Sequence, residues 1–208
     1  MHTTLQPTEG ETTTLHQDYL HLHQRPELSM QEHNTASFIE SRLTEMGIEH
    51  FRCGGTGVVG ILRNGEGPVV AFRADSDGLP IAEDTKAEYA STAKGFLADG
   101  TEVPVMHGCG HDTHVASALG AARVLVRSTD MWAGTVVFIF QPGEETSAGA
   151  AAMLADGLWD RAPRPTVVLG QHVFPFATGT IHITPESAMA MANSLEVTLY
   201  GKQAHGSQ

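Results

Sequence analysis

The sequence has few cysteines, few basic residues and no long apolar run. Its 208 residues include two cysteines, and 12 Lys and Arg stand against 24 Asp and Glu, for a formal net charge of −12. So acidic a chain does not suit phosphate neutralisation, and neither nucleic acid nor an anionic membrane surface is an expected partner. No apolar run reaches the roughly 18 residues of a membrane span. With only Cys53 and Cys109 and no export signal, the chain indicates free thiols in a reducing compartment, and we expect a cytoplasmic protein.

The rest of the composition is that of a globular protein in which strands and helices alternate. Hydrophobic residues make up 41% of the sequence and charged residues 17%, and the polar stretch 1–14 is predicted to be a flexible leader. Helical periodicity predicts helices at 15–28, with a break at Pro26, and at 30–46, 113–127 and 148–158. Apolar or alternating runs predict strands at 57–62, 68–73, 134–140, 166–170, 179–183 and 194–200. This order predicts an α/β sandwich with a largely parallel central sheet.

Three details of the pattern make sharper predictions. The turn signal Asn64-Gly65 predicts a hairpin that joins the strands on either side of it. The apolar runs 134–140 and 166–170 are predicted to be strands buried on both faces. The last strand, 194–200, alternates like a strand with one buried face, so we expect it to open a second domain.

The densest chemical signal is the run from His107 to His114. It places Cys109 and His111 two residues apart, with glycines beside them that let the backbone turn tightly. A thiolate and imidazoles are ligands for a transition metal, and loops that lead into helices form the sites of open α/β sheets. The alternative is a loop with incidental histidines and a buried structural cysteine.

Two adjacent carboxylates, Glu144 and Glu145, follow the apolar run 134–140. Like charges side by side raise each other's pKa values. A metal removes this difficulty for one carboxylate, while the other can act as a general base on water. The alternative is an acidic first turn of the next helix, which the helix dipole favours.

Two further segments place polar groups after apolar strands. His172 follows the run 166–170, and Asp75 and Asp77 follow the run 68–73. The two aspartates could orient metal-bound groups, although a turn with side-chain-to-backbone hydrogen bonds would use the same residues. Because several segments repeat this placement at one expected sheet edge, together they predict a metal site.

These segments resemble the zinc-exopeptidase superfamily of aminoacylases, carboxypeptidases and dipeptidases, and within it the amidohydrolase branch of bacterial aminoacylases, hippurate hydrolases and auxin-conjugate hydrolases. The matching pieces occur in family order along nearly the whole chain: His23–Ser29, Arg73–Ile81, Met106–Asp112, Phe140–Glu145, Gly170–Val173 and Gly201–His205. The resemblance implies a three-layer α/β/α catalytic domain with a mixed, largely parallel sheet. It also implies that a smaller α+β lid, or dimerisation, domain follows.

Carried over by position, the resemblance implies a role for each candidate residue. Two divalent metal ions (Zn, Mn or Co) are the expected cofactors, and their expected ligands are Cys109, His111, Glu145 and His172. Glu144 is the expected general base. The carboxylates expected to support the ligands from behind are Asp75, Asp77 and Asp112. His205 is expected to polarise the scissile carbonyl, reaching into the site of a neighbouring subunit.

The resemblance also implies a longer protein. The family's remaining metal-ligand histidine lies near the C-terminus of a considerably longer chain, so we expect an N-terminal fragment with an incomplete two-metal site. The expected parts are the leader 1–14, a metal-binding catalytic domain at 15–187 that lacks its last part, and the beginning of the lid at 188–208. The full-length protein is expected to form a homo-oligomer through the lid.

The predicted function is hydrolysis of the amide bond of N-acyl amino acids, which are small-molecule substrates, by a metal-activated water with Glu144 as general base. The alternatives are a dipeptidase or deacetylase of the same superfamily, and a truncated, catalytically incompetent metal-binding fragment. A single structural metal on Cys109, His111 and His172 is a further alternative. The adjacent glutamates disfavour it, because structural zinc sites are usually closed by Cys and His.

Overall fold

The computed structural model describes residues 5–183, 195, 197, 198, 200 and 201. The helices are α1 (Glu9–His23), α2 (His33–Glu45), α3 (His111–Arg127), α4 (Gly149–Ala155) and α5 (Leu158–Arg161). The strands are β1 (Glu49–Cys53), β2 (Gly57–Asn64), β3 (Val69–Asp75), β4 (Lys94–Phe96), β5 (Glu102–Pro104), β6 (Gly134–Gln141) and β7 (Val167–Gly170). None of the helices in this described part is long and apolar enough to cross a membrane.

The central sheet has the strand order β1-β2-β6-β3-β7. β2 is antiparallel to both β1 and β6, whereas β3 is parallel to both β6 and β7. Four of its strands therefore run in one direction and β2 runs against them. The short strands β4 and β5 form a separate antiparallel pair. The expected mixed, largely parallel sheet is confirmed.

β6 lies at the centre of the fold and is buried on both faces, as predicted. Phe138 and Phe140 join the core formed with α1, α2 and α3, whereas Val137 and Ile139 join the core formed with α4 and α5. Because successive side chains point to opposite faces of a strand, one apolar strand can serve two helical layers. The three-layer α/β/α architecture is thereby confirmed.

The hairpin predicted at Asn64-Gly65 is wrong. β6 lies between β2 and β3, so these two strands do not pair. The side-chain amide of Asn64 donates to the carbonyl oxygens of Thr129 and Trp132, at 2.6 and 2.5 Å. These bonds hold the end of β2 against the segment that leads into β6, instead of turning the chain back along β2.

β7 differs from its prediction as well. It lies at the edge of the sheet, where Val167, Val168 and Leu169 are 49, 56 and 50% exposed instead of buried. Among the described residues only β3 pairs with it. The segment 179–183 forms no strand, and Ile181 and Ile183 are exposed. The predicted strand 194–200 and the predicted boundary at 187 fall on residues that lie largely outside the described ones.

α1 begins earlier than predicted, so residues 9–14 of the expected leader are helical. Its first turn carries a capping box, in which the Thr8 hydroxyl accepts from the Glu11 amide and the Glu11 carboxylate accepts from the Thr8 amide at 2.7 Å. These bonds satisfy amides that a helix start leaves open. The contacts divide the chain into two compact units, Met1–Val173 and Phe174–Gln208, and every predicted site residue except His205 belongs to the first.

Candidate metal centre

Most of the predicted site residues lie at the carboxyl edge of the sheet. β3 ends at Asp75, β6 at Gln141 and β7 at Gly170, and these strands are parallel, so their ends lie at one edge. The loop after β6 carries Glu144 and Glu145, the loop after β7 carries His172, and the N-terminus of α3 brings His111 to the same place. The sheet therefore supplies the juxtaposition that the sequence pattern predicts.

His111 is the central residue of this site. It is fully buried, and its Nδ1 donates to the carbonyl oxygen of Asp77 at 2.9 Å and to the Asp77 carboxylate at 3.2 Å. Its Nε2 has no hydrogen-bond partner, although it lies 3.6 Å from Asp75 Oδ2, 3.8 Å from Glu144 Oε2 and 3.9 Å from Glu145 Oε1. A buried polar atom that faces three acids without a hydrogen bond is costly unless an ion satisfies it.

Three groups of metal-type side chains share His111. The groups are Cys109 with His172, Glu144 with Glu145, and Asp75 with His114, and within each group the ligand atoms lie within 4.8 Å of one another. Ligands bound to one zinc ion at about 2.0–2.3 Å are at most about 4.6 Å apart. Thiolate, imidazole and carboxylate donors suit Zn²⁺ and neighbouring divalent transition metals. These residues therefore fit such ions with little movement.

Asp77 forms hydrogen bonds with two of the segments that carry proposed metal ligands. Its Oδ1 binds His111, while its Oδ2 accepts from the Ser29 hydroxyl at 2.6 Å and from the Glu145 amide at 3.0 Å. Burial alone would raise the pKa of Asp77, but the hydrogen bonds from His111 and Ser29 outweigh it and hold that pKa below its usual value. An ionised Asp77 thus fixes both the ring of His111 and the backbone of Glu145.

Asp75 and His114 connect β3 to the loop that carries His172. His114 Nδ1 lies 2.6 Å from Asp75 Oδ1, and His114 Nε2 accepts from the Val173 amide at 2.9 Å. Burial would raise the pKa of Asp75, yet the bond from His114 and the charges of His111 and Arg73 lower it to about 2. Since both ring nitrogens of His114 are engaged, this histidine supports the site and is a poor candidate for a ligand.

Cys109 and His172 face each other, with Sγ 3.4 Å from Nε2. The Nδ1 of His172 lies 2.7 Å from the carbonyl oxygen of Val173, to which it can donate, so Nε2 is turned toward the cysteine. Burial and the nearby Glu145 raise the pKa of the Cys109 thiol to about 11. Burial and Glu144 also raise the pKa of Glu145, although the His111 charge opposes them. A divalent cation would favour the ionised form of both groups.

Two predicted residues have other surroundings. Asp112 Oδ2 lies 2.6 Å from Nδ1 of His23, so Asp112 joins α3 to α1. The Nε2 of His23 lies 3.1 Å from Glu83 and joins α1 to the segment between β3 and β4. His205 lies outside the described residues. No role is predicted for Ser29 or His114 from the sequence, although Ser29 ends the matching piece His23–Ser29 and His114 ends the run from His107. The spacing of His114, three residues after His111 on α3, was the available signal.

Comparison with known proteins gives consistent matches over this region. The sequence pattern of Peptidase family M20/M25/M40 matches residues 71–205. N-acetyl-L-cysteine deacetylase of Bacillus subtilis is 42% identical over 188 residues, which are 89% of this chain and 42% of that protein. Thermostable carboxypeptidase 1 of Saccharolobus solfataricus is 37% identical over 192 residues, which are 89% of this chain and 46% of that protein.

A solved structure has a similar fold. It is that of a dinuclear metal binding peptidase of the M20 family from Bacillus subtilis, and it matches with a TM-score of 0.70 and 37% identity over 80% of this chain and 44% of that one. The chain thus spans about half the length of the relatives that it matches. The family pattern covers most of the chain, including the cluster around His111, and the chain belongs to peptidase family M20/M25/M40.

Proposed function

We propose that this chain holds two divalent metal ions and supplies most of a site that hydrolyses the amide bond of N-acyl amino acids. The observation that carries the proposal is the buried Nε2 of His111, which has no hydrogen bond and faces Asp75, Glu144 and Glu145. The ligands are proposed to be Cys109, His111, Glu145 and His172. Ions of zinc, manganese or cobalt suit this mixture of sulfur, nitrogen and oxygen donors.

Glu144 is proposed to be the general base. When bound, the ions lower the pKa of a water and polarise the substrate carbonyl. Glu144 is 39% exposed at its side chain and lies 3.8 Å from His111 Nε2, so it can reach both the cluster and solvent. It takes a proton from the attacking water and returns it to the leaving amine, while Asp77 keeps His111 in place from behind. His205 is proposed to polarise the scissile carbonyl.

The names of the relatives support an amide substrate and leave its class to be tested. A deacetylase and a carboxypeptidase both cleave such bonds, so N-acyl amino acids are the first candidate and dipeptides the second. By the same resemblance, residues 188–208 are proposed to begin a lid domain through which the full-length protein forms a homo-oligomer. The unpaired thiols of Cys53 and Cys109 support a reducing, cytoplasmic location.

The adjacent glutamates provide a matched test. Glu144→Gln is expected to lower kcat by at least about 100-fold, because general acid–base catalysis contributes about that much or more, while bound metal per chain stays unchanged. Glu145→Gln is expected to lower both kcat and the amount of metal bound per chain. Metal analysis and hydrolysis of N-acetyl amino acids and dipeptides would be measured in the 208-residue chain and in a longer form. Normal turnover by Glu144→Gln would refute its role, and activity only in the longer form would identify this chain as an incompetent metal-binding part.

A further inference from the structure

Glu32 is a fully buried carboxylate at the start of α2, far along the chain from the predicted site. It occupies the N-cap position but makes no capping bond with its side chain. Instead its Oε1 accepts from the backbone amides of Met30 at 2.9 Å and Gly143 at 2.8 Å, and its Oε2 accepts from the Thr56 hydroxyl. The side chain therefore joins the start of α2 and the turn between β1 and β2 to the loop after β6.

Gly143 directly precedes the two glutamates of the site. Its amide is held by Glu32, and its carbonyl oxygen accepts from the amides of Ala148 at 3.0 Å and Gly149 at 3.2 Å. It has φ +54, and a Cβ there would lie 2.6 Å from Met30 Sδ, so the loop packs closely on the segment before α2. Both ends of the short loop that carries Glu144 and Glu145 are thereby fixed.

The donors around Glu32 explain why an acceptor stands there. Burying a charge is expensive unless it is hydrogen-bonded, and the amides of Met30 and Gly143 and the Thr56 hydroxyl supply those bonds. The bonds of Glu32 are arranged around one loop amide, and the neighbouring Ser29 donates to Asp77, which in turn accepts from the Glu145 amide. The segment 29–32 thus touches both loops that face His111.

We propose that Glu32 is a positioning residue, whose bond to the Gly143 amide sets the place of Glu144 and Glu145 relative to His111. This inference rests on the proposed function, because it assigns Glu32 an effect on metal binding and turnover through those residues. The acids lie 3.8 and 3.9 Å from His111 Nε2, so a shift of about 1 Å in the loop would change which atoms can share an ion.

The test compares substitutions at Glu32 with a control at another buried carboxylate. Glu32→Leu leaves the Gly143 amide without its acceptor, whereas Glu32→Gln keeps a carbonyl oxygen for it and offers an amide to the Thr56 hydroxyl. Asp18→Asn is the control, since Asp18 is also buried and binds Arg42 and Arg123 without contacting the loop. Co²⁺ affinity is followed by the thiolate-to-cobalt absorption of Cys109, with kcat, KM, thermal unfolding and Gly143 amide exchange measured beside it.

Glu32→Leu is expected to weaken Co²⁺ affinity by about 10- to 100-fold, the usual effect of removing a group that supports metal ligands. It should also lower kcat more than it raises KM and expose the Gly143 amide to exchange. Glu32→Gln should keep Co²⁺ affinity and kcat within about threefold of the unaltered chain, because hydrogen bonding and not charge positions the loop. Asp18→Asn should lower the unfolding temperature while its Co²⁺ affinity stays that of the unaltered chain.

Several outcomes would overturn the proposal. They are unaltered Co²⁺ affinity and kcat in folded Glu32→Leu, equal losses in Glu32→Gln, and an equal loss of affinity in Asp18→Asn. If Glu32→Leu does not fold, Glu32→Asp replaces it, since the shorter side chain cannot span both amides and the hydroxyl. If the unaltered chain neither takes up Co²⁺ nor hydrolyses an amide, the proposed function fails. Gly143 exchange in the variants then still shows whether Glu32 holds the loop.

Discussion

Gly110 shows how one backbone conformation places two metal-type side chains. It lies between Cys109 and His111, has φ +82 and precedes the first residue of α3. A Cβ at this position would lie 2.4 Å from Val173 Cγ2, next to His172. Two demands therefore meet at Gly110: a left-handed conformation, which side chains disfavour, and a close approach of the loop after β7.

A matched pair of substitutions separates the cost of the left-handed conformation from the cost of the close approach. Gly55 has φ +88 and open space within 4 Å of a Cβ, so Gly55→Ala should cost only the backbone penalty of about 1–2 kcal/mol. Gly110→Ala should lose more stability in urea unfolding and should also weaken Co²⁺ binding, because Val173 and His172 must move. Equal losses in both variants, with unaltered Co²⁺ binding, would contradict this expectation.

At the scale of residues, the sequence predicts the site residues that stand in a short local motif. Cys109, His111, Glu144 and Glu145 stand in short motifs after apolar strands, and the structure brings them together. Ser29 carries no such local signal, and the local run that contains His114 does not show which residues it contacts. Ser29 meets Asp77 across 48 residues and His114 meets Val173 across 59, so their partners are known only once the chain is folded.

At the scale of elements, α1 is attached to α3 by an ion pair at its first turn. Glu11 lies 2.9 Å from Arg127 Nε. The hydrogen bond from Arg127 and that from the Thr8 amide lower the pKa of Glu11 from 4.5 to about 2. Because the folded-state pKa is the lower one, folding favours the ionised form. The resulting stability is fully present above about pH 4.5 and is lost as the pH falls through about 2.

Glu11→Gln should therefore reduce the loss of stability between pH 7 and pH 3 that urea unfolding of the metal-free chain measures. Glu9→Gln is the control, because it removes an acid from the same turn without touching the pair with Arg127. The difference should shrink in high salt, since the pair is partly exposed. The same loss on acidification in Glu11→Gln as in the unaltered chain would show that this ion pair does not couple folding to pH.

The order of strands was less predictable than their existence. Local periodicity gives the apolar runs, but pairing depends on contacts between distant segments, and the Asn64-Gly65 signal pointed to the wrong neighbour. The bonds from Asn64 to Thr129 and Trp132 cross 65 and 68 residues, so no local window contains them. β7 has the apolar composition of a buried strand, yet its position at the sheet edge leaves it exposed.

At the scale of the whole molecule, metal binding and folding should be coupled. The ligand groups come from segments far apart in sequence, so an unfolded chain offers no such cluster, and ions that bind only the folded form stabilise it. A single Zn²⁺ site at a free metal concentration of 100 times its Kd adds about 2.7 kcal/mol. The unfolding temperature should therefore be higher with Zn²⁺ than with a chelator.

Cys109→Ser supplies the control for that experiment. The hydroxyl is a much poorer ligand for zinc than a thiolate, so the variant should show a smaller rise at the same Zn²⁺ concentration. An unfolding temperature that does not respond to Zn²⁺, Mn²⁺ or Co²⁺ in the unaltered chain would argue against a metal centre built by these residues.

The hold of Glu32 on Gly143 also has a consequence for the time course of folding. That bond closes a loop of 111 residues, and the contact between Cys109 and His172 closes one of 63. Closing such loops costs more entropy than forming local contacts, so we expect these two contacts to form after the helices. During synthesis, Glu32 leaves the ribosome before Gly143, so their hydrogen bond cannot form until residue 143 has been made. Cobalt absorption during refolding would thus report the last step of assembly and not the first collapse.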